Sequence, residues 1–329
     1  MPAVLTGMNA RIAATATLFT AFAGVLAARA ADSQLLSLVM PDAKVLAGVN
    51  VDQAKASPFG LYVLTQMESG NSGIRDLVAL TGFDPTRDVH EVLAASSSTP
   101  GGKTPMGLVA ARGNFNPAII IALAASKGGG TEVYGGVTII EGPDRMAGIA
   151  FLDSTLVIAG DVADVKAAID RTKAGQSLPA AVLAQVTQWS NSEDAWIVTT
   201  VPLSSLAPAT GAPPAGPAGM AQGIFQQVQQ FGGGVKFGNS VVGTAALQAD
   251  TAQNASQIAN TFQFLVNMAQ MQAGQNNPQA AALAQGLAVT AQGNTVKITI
   301  TLPQAQFQQL MQQQKKAAVN PAAHGAIRK

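Results

Sequence analysis

The run Gly82-Phe83-Asp84-Pro85-Thr86-Arg87-Asp88-Val89-His90-Glu91 places four side chains able to bind a metal or move protons within eight positions. Carboxylates and an imidazole at such spacing could gather a divalent cation or supply an acid/base pair. Asp84, Asp88, His90 and Glu91 are therefore the candidate metal or catalytic residues. The competing reading is local: Asp-Pro makes a turn, Asp88 ends it, Arg87 offsets the carboxylates, and His90 and Glu91 decorate the start of a strand. Spacing this tight suits a loop better than a converging site.

Other candidates are fewer. Trp189 and Trp196 bracket Asn191-Ser192-Glu193-Asp194 and could frame a sugar-stacking face, although tryptophans are commonly core or junction residues. Gly128-Gly129-Gly130 and Gly232-Gly233-Gly234 are each read as links between a helix and a strand, where glycine serves termination. Phosphate cradling needs the reverse order, strand, glycines, then helix N-terminus. The chain carries no G-x-S-x-G, S-x-x-K, H-E-x-x-H, Walker A or EF-hand pattern. With only His90 and His324, a His-based triad or multi-His metal site is hard to build. No catalytic residue and no cofactor is assigned.

The elements that must position these residues follow from periodicity. Val45–Val51, Val89–Ala95, Met106–Arg112, Val133–Ile140 and Ala147–Ala159 read as strands, the last folded at Asp153-Ser154. Phe59–Met67, Ile74–Leu80, Ala118–Ala125 and a segment capped by Asp161 read as helices. The second half predicts a strand at Ala195–Val201, a helix at Ile224–Gln230 and a hairpin of Gly234–Phe237 with Val241–Gln248. A helix from about Ala252 to Met271, a hairpin of Leu287–Ala291 with Thr295–Leu302, and a last helix from Pro303 to about Gln314 complete it. Pro202–Pro208 parallels Asp52–Pro58, and Asp153–Leu156 matches Gly293–Val296 in register. The expected fold is α+β: two similar β-α-β-β-α-β-β-α units, each an antiparallel or mixed sheet covered by helices, arising by internal duplication.

Arg11, the apolar run Ile12–Leu26 and Ala28-Arg29-Ala30 have the order of a secretory signal, predicting cleavage after Ala30; Met8 is a plausible initiator. The expected units are a signal peptide at 1–30, a first repeat at 31–190, a second at 191–314 with a Pro/Gly/Ala-rich loop at 207–221, and a disordered basic tail at 315–329. Only 11% of residues are charged, yet 48% are hydrophobic, a combination that argues against disorder. Residues 31–203 hold 11 basic and 17 acidic groups, whereas 204–329 hold 6 and 1. No basic stripe of the kind nucleic acid requires is visible. Without cysteine there is no disulfide, no thiolate site and no acceptor for lipidation at the signal.

Leu38–Met67 with Met40-Pro41-Asp42-Ala43 and Val49-Asn50-Val51, then Thr81–Asp88, Ala111–Phe115 and Gly160-Asp161-Val162, resemble uncharacterised exported bacterial proteins of acidobacterial type, similar in style to DUF3352-like proteins. The resemblance spans most of the chain beyond the signal and implies no activity or site residue. The functional expectation is an exported, periplasmic or extracellular, non-enzymatic module. It would bind a protein or small ligand in the groove between the repeats, and have no transmembrane helix once the signal is removed. The alternatives are a metal-assisted hydrolase using Asp84–Glu91 and a structural envelope protein whose uncharged helices within 252–314 pack on another chain.

Overall fold

The computed structural model describes residues 31–69, 78–97, 107–126, 129–142, 145–175, 177–206, 223–224, 226–276, 286–306 and 309. The expected signal at 1–30, the 207–221 loop and the 315–329 tail lie outside the described residues.

Alternating apolar and small side chains build twelve strands, all paired antiparallel in one sheet. In chain order they are β1 (Val45–Asn50), β2 (Val89–Ser96), β3 (Leu108–Gly113), β4 (Gly130–Tyr134), β5 (Val137–Glu141), β6 (Ala147–Phe151), β7 (Leu156–Asp161), β8 (Ala195–Thr199), β9 (Val228–Lys236), β10 (Ser240–Ala249), β11 (Leu287–Gln292) and β12 (Thr295–Pro303). Across the sheet the order is β11-β12-β10-β9-β8-β1-β2-β3-β7-β6-β5-β4. Outward from the central β8–β1 pair, one side therefore runs β8-β9-β10-β12-β11 and the other β1-β2-β3-β7-β6, with the β4–β5 hairpin added at that edge.

The helices are α1 (Ser33–Leu38), α2 (Val51–Lys55), α3 (Pro58–Ser69), α4 (Pro85–Asp88), α5 (Pro117–Ser126), α6 (Val162–Ala174), α7 (Ala180–Ser192) and α8 (Ala252–Asn276). They cover opposite faces in the two halves. On one face Leu46, Leu93, Leu108, Ile158 and Val198 meet Leu35 and Leu38 of α1, Val165 and Ile169 of α6, and Val186 and Trp189 of α7. On the other, Ala255 and Ile258 of α8 pack on Leu247 and Val296, while Phe59 of α3 packs on Val241 and Leu302. The register carries an apolar row straight across that second face: Ile197, Ala47, Ala94, Val109, Ala159, Ile149. Ile197, Val109 and Ile149 in this row stay 36–42% exposed, since no described helix reaches them as α8 reaches the second half.

The chain is thus α+β with a large antiparallel sheet, and four expectations are corrected. The two expected sheets are one, because β1 and β8 zip together over Val45–Val49 and Ala195–Thr199. The run Val133–Ile140 is a hairpin, turned by Gly135 and Gly136 at φ 59° and 88°, values that disfavour side chains. The helix expected over Ile224–Gln230 gives way at Val228, where pairing with β10 claims the backbone. Gly232-Gly233-Gly234 is no linker but the interior of β9. Helices α1 and α7 are elements that the periodicity did not flag. Among the described residues no helix is long and apolar enough to cross a membrane.

Candidate functional site

The Asp84–Glu91 segment is spent on its own architecture. Asp84 is the N-cap of α4, its Oδ1 accepting from Thr86 N at 2.9 Å and Thr86 Oγ1 at 2.6 Å, with Pro85 in the first turn. Asp88 takes a forked pair from Arg87 Nε and Nη2, both at 2.7 Å, and accepts from Asp84 N at 2.8 Å. Both carboxyl pKa values are lowered, that of Asp84 first by its Thr86 bond and that of Asp88 first by its Arg87 bond. His90 turns elsewhere: Nδ1 lies 2.9 Å from Asp52 Oδ2, and Asn114 Nδ2 donates to Nε2 at 3.0 Å. Glu91 faces the start of the described chain, accepting from Asp32 N at 3.1 Å, and burial pushes its carboxyl pKa up.

Asp84 and Asp88 are thus brought together, but His90 and Glu91 diverge, as adjacent strand residues must. Among the described residues no group of three or more His, Asp or Glu could hold a metal ion. A hollow of about 270 Å³ beside Arg87, Asp88 and Asn114 is walled by Phe83 and Phe115, whose rings stand 5.8 Å apart. We expect Asp84→Ala to cost about 1 kcal/mol, the usual loss for an N-cap. The thermal midpoint should fall a few degrees, with no change on adding divalent cations.

A larger site forms where α7 ends over the second half of the sheet. Gly232 and Gly234 present no side chain there, and α7 uses the space. A Cβ on Gly232 would stand 2.1 Å from Trp189 Nε1, and one on Gly234 would stand 2.4 Å from Glu193 Cγ. Beside these two residues opens a cleft of about 500 Å³. Its walls are hydroxyl and amide groups: Ser192 from α7, Thr244 from β10, Thr290 and Gln292 from β11, with Lys297 of β12 the one cation among the lining residues.

Glu193 is the unusual member. It is 9% exposed, and its Oε2 has no hydrogen-bond partner among the described residues. The nearby Thr244 hydroxyl favours the charged form of the carboxyl. Burial is the main cause of its raised pKa; Lys236 and Lys297 work in the opposite direction, and Asp194 adds to the rise. Glu193 also sits at the C-cap of α7, the helix end that disfavours negative charge. Its neighbour Asp194, 3% exposed, is fully engaged: Lys236 Nζ donates to Oδ1 and Phe237 N to Oδ2 at 2.7 Å. The acid pair between two tryptophans is visible in the sequence, but its burial is not. The glycines of β9 were the available signal.

Neither a family model nor a curated protein matches the chain. Solved structures of TP0453 are similar: crystal form III gives a TM-score of 0.51 at 12% identity, covering 84% of this chain and 97% of that one. Crystal form I gives 0.49 at 11% identity, covering 85% and 97%. At such identity the likeness is one of fold.

Proposed function

We propose that the chain is an exported, non-enzymatic binding module made of two copies of one α+β unit, with its ligand seat in the cleft between them. The cleft carries the reading. Helix α7 is the last element of the first half and β10–β12 belong to the second, so the hollow of about 500 Å³ lies where the halves meet. Sites of this size between packed units are usual ligand seats. The duplication is supported by the mirrored strand order about β8–β1. It is supported too by register: matching Asp52–Pro58 with Pro202–Pro208 equates Ala47 with Ile197, and these two are partners across that central pair. Binding is favoured over hydrolysis because the carboxylates of Asp84–Glu91 are already engaged by Thr86, Arg87 and the Asp32 amide.

Export is supported by how firmly the chain is held just after the expected cleavage point. Ala31 N donates to Ser190 Oγ at 3.1 Å, and Asp32 both caps α1 and pairs with Arg112 Nε at 2.8 Å. N-terminal sequencing of the exported protein should read Ala31-Asp32; a protein found only in the cytoplasm with its leader intact would sink the export reading. For the cleft, tryptophan fluorescence should respond to a panel of saccharides, amino acids and polyols, and Ala246→Phe, which fills the hollow, should abolish the response. A response that survives Ala246→Phe, or none to any compound, rejects the site.

A structural role is the second reading. Helix α8 is uncharged, and leaves Phe264 and Met271 53% and 69% exposed, as a helix face meeting another chain would. Size-exclusion measurement finding a monomer at every concentration would remove it.

A further inference from the structure

We infer that the open sheet face of the first half docks a second copy of this chain, face to face, about a two-fold axis that runs along the strands between β2 and β3. Val198 and Trp196 point towards α7, so their neighbour Ile197 points the other way, and the inference is independent of the cleft beside α7. Two register-aligned rows cross this face from β8 to β6. One is Ile197, Ala47, Ala94, Val109, Ala159 and Ile149; beside it run Ala195, Val49, Val92, Ala111, Val157 and Phe151. Every side chain in both rows is apolar. In the second half the same face lies under Ala255 and Ile258 of α8 and Phe59 of α3. In the first half Ile197, Val109 and Ile149 stay 36%, 42% and 41% exposed. A contiguous, charge-free patch of this kind marks an interaction site.

The pattern along the rows names the partner. A closed dimer needs a surface complementary to itself, so that residue i meets j while j meets i. An axis between β2 and β3 reverses the strand order and sets Ala94 against the partner's Val109. It also sets Ala47 against the partner's Ala159 and Ile197 against the partner's Ile149. In the second row Ala195 meets the partner's Phe151, small against large. A hollow of about 160 Å³ is lined by Ala47, Ala94 and Val109, with Ser96 the only hydroxyl among its lining residues. The partner's Val109 is placed to fill it, and the axis repeats the contact, so each copy brings one knob and one hollow.

Size and charge agree with that occupant. Six strands at ~4.8 Å spacing, each about five residues long at ~3.4 Å rise, cover roughly 500 Å². Two such faces give about 1,000 Å², the size at which specific interfaces begin. Stacking two antiparallel sheets is the ordinary sandwich arrangement. With no charge in either row, a second copy buries none, whereas a charged partner would lose hydration with no group here to answer it.

The test weighs the exported chain and its variants by light scattering after size exclusion, with circular dichroism to confirm the fold. The parent should run as a dimer that dilution dissociates. Val109→Lys should weaken association by a factor of about 100 or more, because each lysine would be buried without a partner. Ala94→Glu should do the same. Mixed one to one, the two variants should regain about tenfold or more, since the glutamate of one copy then faces the lysine of the other. Ile149→Lys mixed with Ile197→Glu is the second pair, should either of the first two fail to fold. A parent that is monomeric at every concentration overturns the inference. So does a dimer that Val109→Lys leaves intact, which would place the contact elsewhere, as on Phe264 and Met271 of α8. A mixture that stays monomeric overturns it as well, because Ala94 and Val109 do not then face each other.

Discussion

Asp194→Ala is expected to destabilise the protein by about 3 kcal/mol and to lower its thermal midpoint by roughly 10 °C. Asp194 lies just before β8 and is 3% exposed. Its backbone already bridges strands: N donates to Val235 O at 3.0 Å, and O accepts from Asn50 N at 2.8 Å. Its side chain then closes the end of β9, taking Lys236 Nζ on one oxygen and Phe237 N on the other. Alanine leaves the Phe237 amide unsatisfied and the Lys236 ammonium unpaired. Breaking a fully buried ion pair costs about 3–5 kcal/mol. Lys236 is 33% exposed and can swing towards water, which places the loss at the low end of that range. Asp194→Asn keeps the acceptor for Phe237 and should lose about half as much. Urea unfolding of the three proteins measures this directly. A midpoint for Asp194→Ala within a degree or two of the parent would contradict the bridging role.

The neighbouring acids, Glu193 and Asp194, also mark the limit of what the sequence makes legible. The hairpin of β11 and β12 can be read from strict alternation around a turn, with Gly293 at φ 57°. Helix α8 can be read from Ala255, Ile258 and Phe262 on one stripe, and two of these prove buried and the third partly so. Both signals are local. The union of the halves into one sheet is not, because alternation decides which way a side chain faces but not which edge a strand will meet. The β4–β5 hairpin hides in a continuous apolar run whose only punctuation is Gly135-Gly136. Val228–Gln230 carries a helix-like pattern, and only its pairing with β10 makes it β. The Asp84–Glu91 cluster shows the converse: its turn was legible, and so was the reason its residues do not converge. Glu193 could not be found from its own surroundings, since what buries it is the absence of side chains on a strand some forty residues later.

That absence supplies the sharpest expected effect after Asp194. Glycine inside a strand normally weakens it, so Gly→Val at an open strand position stabilises by up to about 1 kcal/mol. At Gly232 the sign should invert. A Cβ there would lie 2.1 Å from Trp189 Nε1 and 2.6 Å from Cε2, well inside contact distance. The ring is 7% exposed, wedged between α7 and the sheet, and belongs to the main core with Val186 and Val198. Gly232→Val should therefore cost about 3 kcal/mol or more, the upper part of the range for overpacked cores. Tryptophan emission should shift to the red as α7 is levered off β9. Gly48 is a twin case, with a Cβ placed 2.5 Å from the Trp196 ring. Gly233 is the internal control: it faces the other side of the sheet, where its nearest neighbours would be Phe231 Cζ at 3.1 Å and Thr244 O at 3.2 Å, distances that a small shift relieves. Gly233→Ala should stay within about 1 kcal/mol of the parent. Equal losses at 232 and 233 would mean that strand flexibility, and not the seat of Trp189, dictates glycine in β9. A large loss at 232 alone, partly restored by Trp189→Phe, locates the constraint in the ring, since only residues in contact couple in this way.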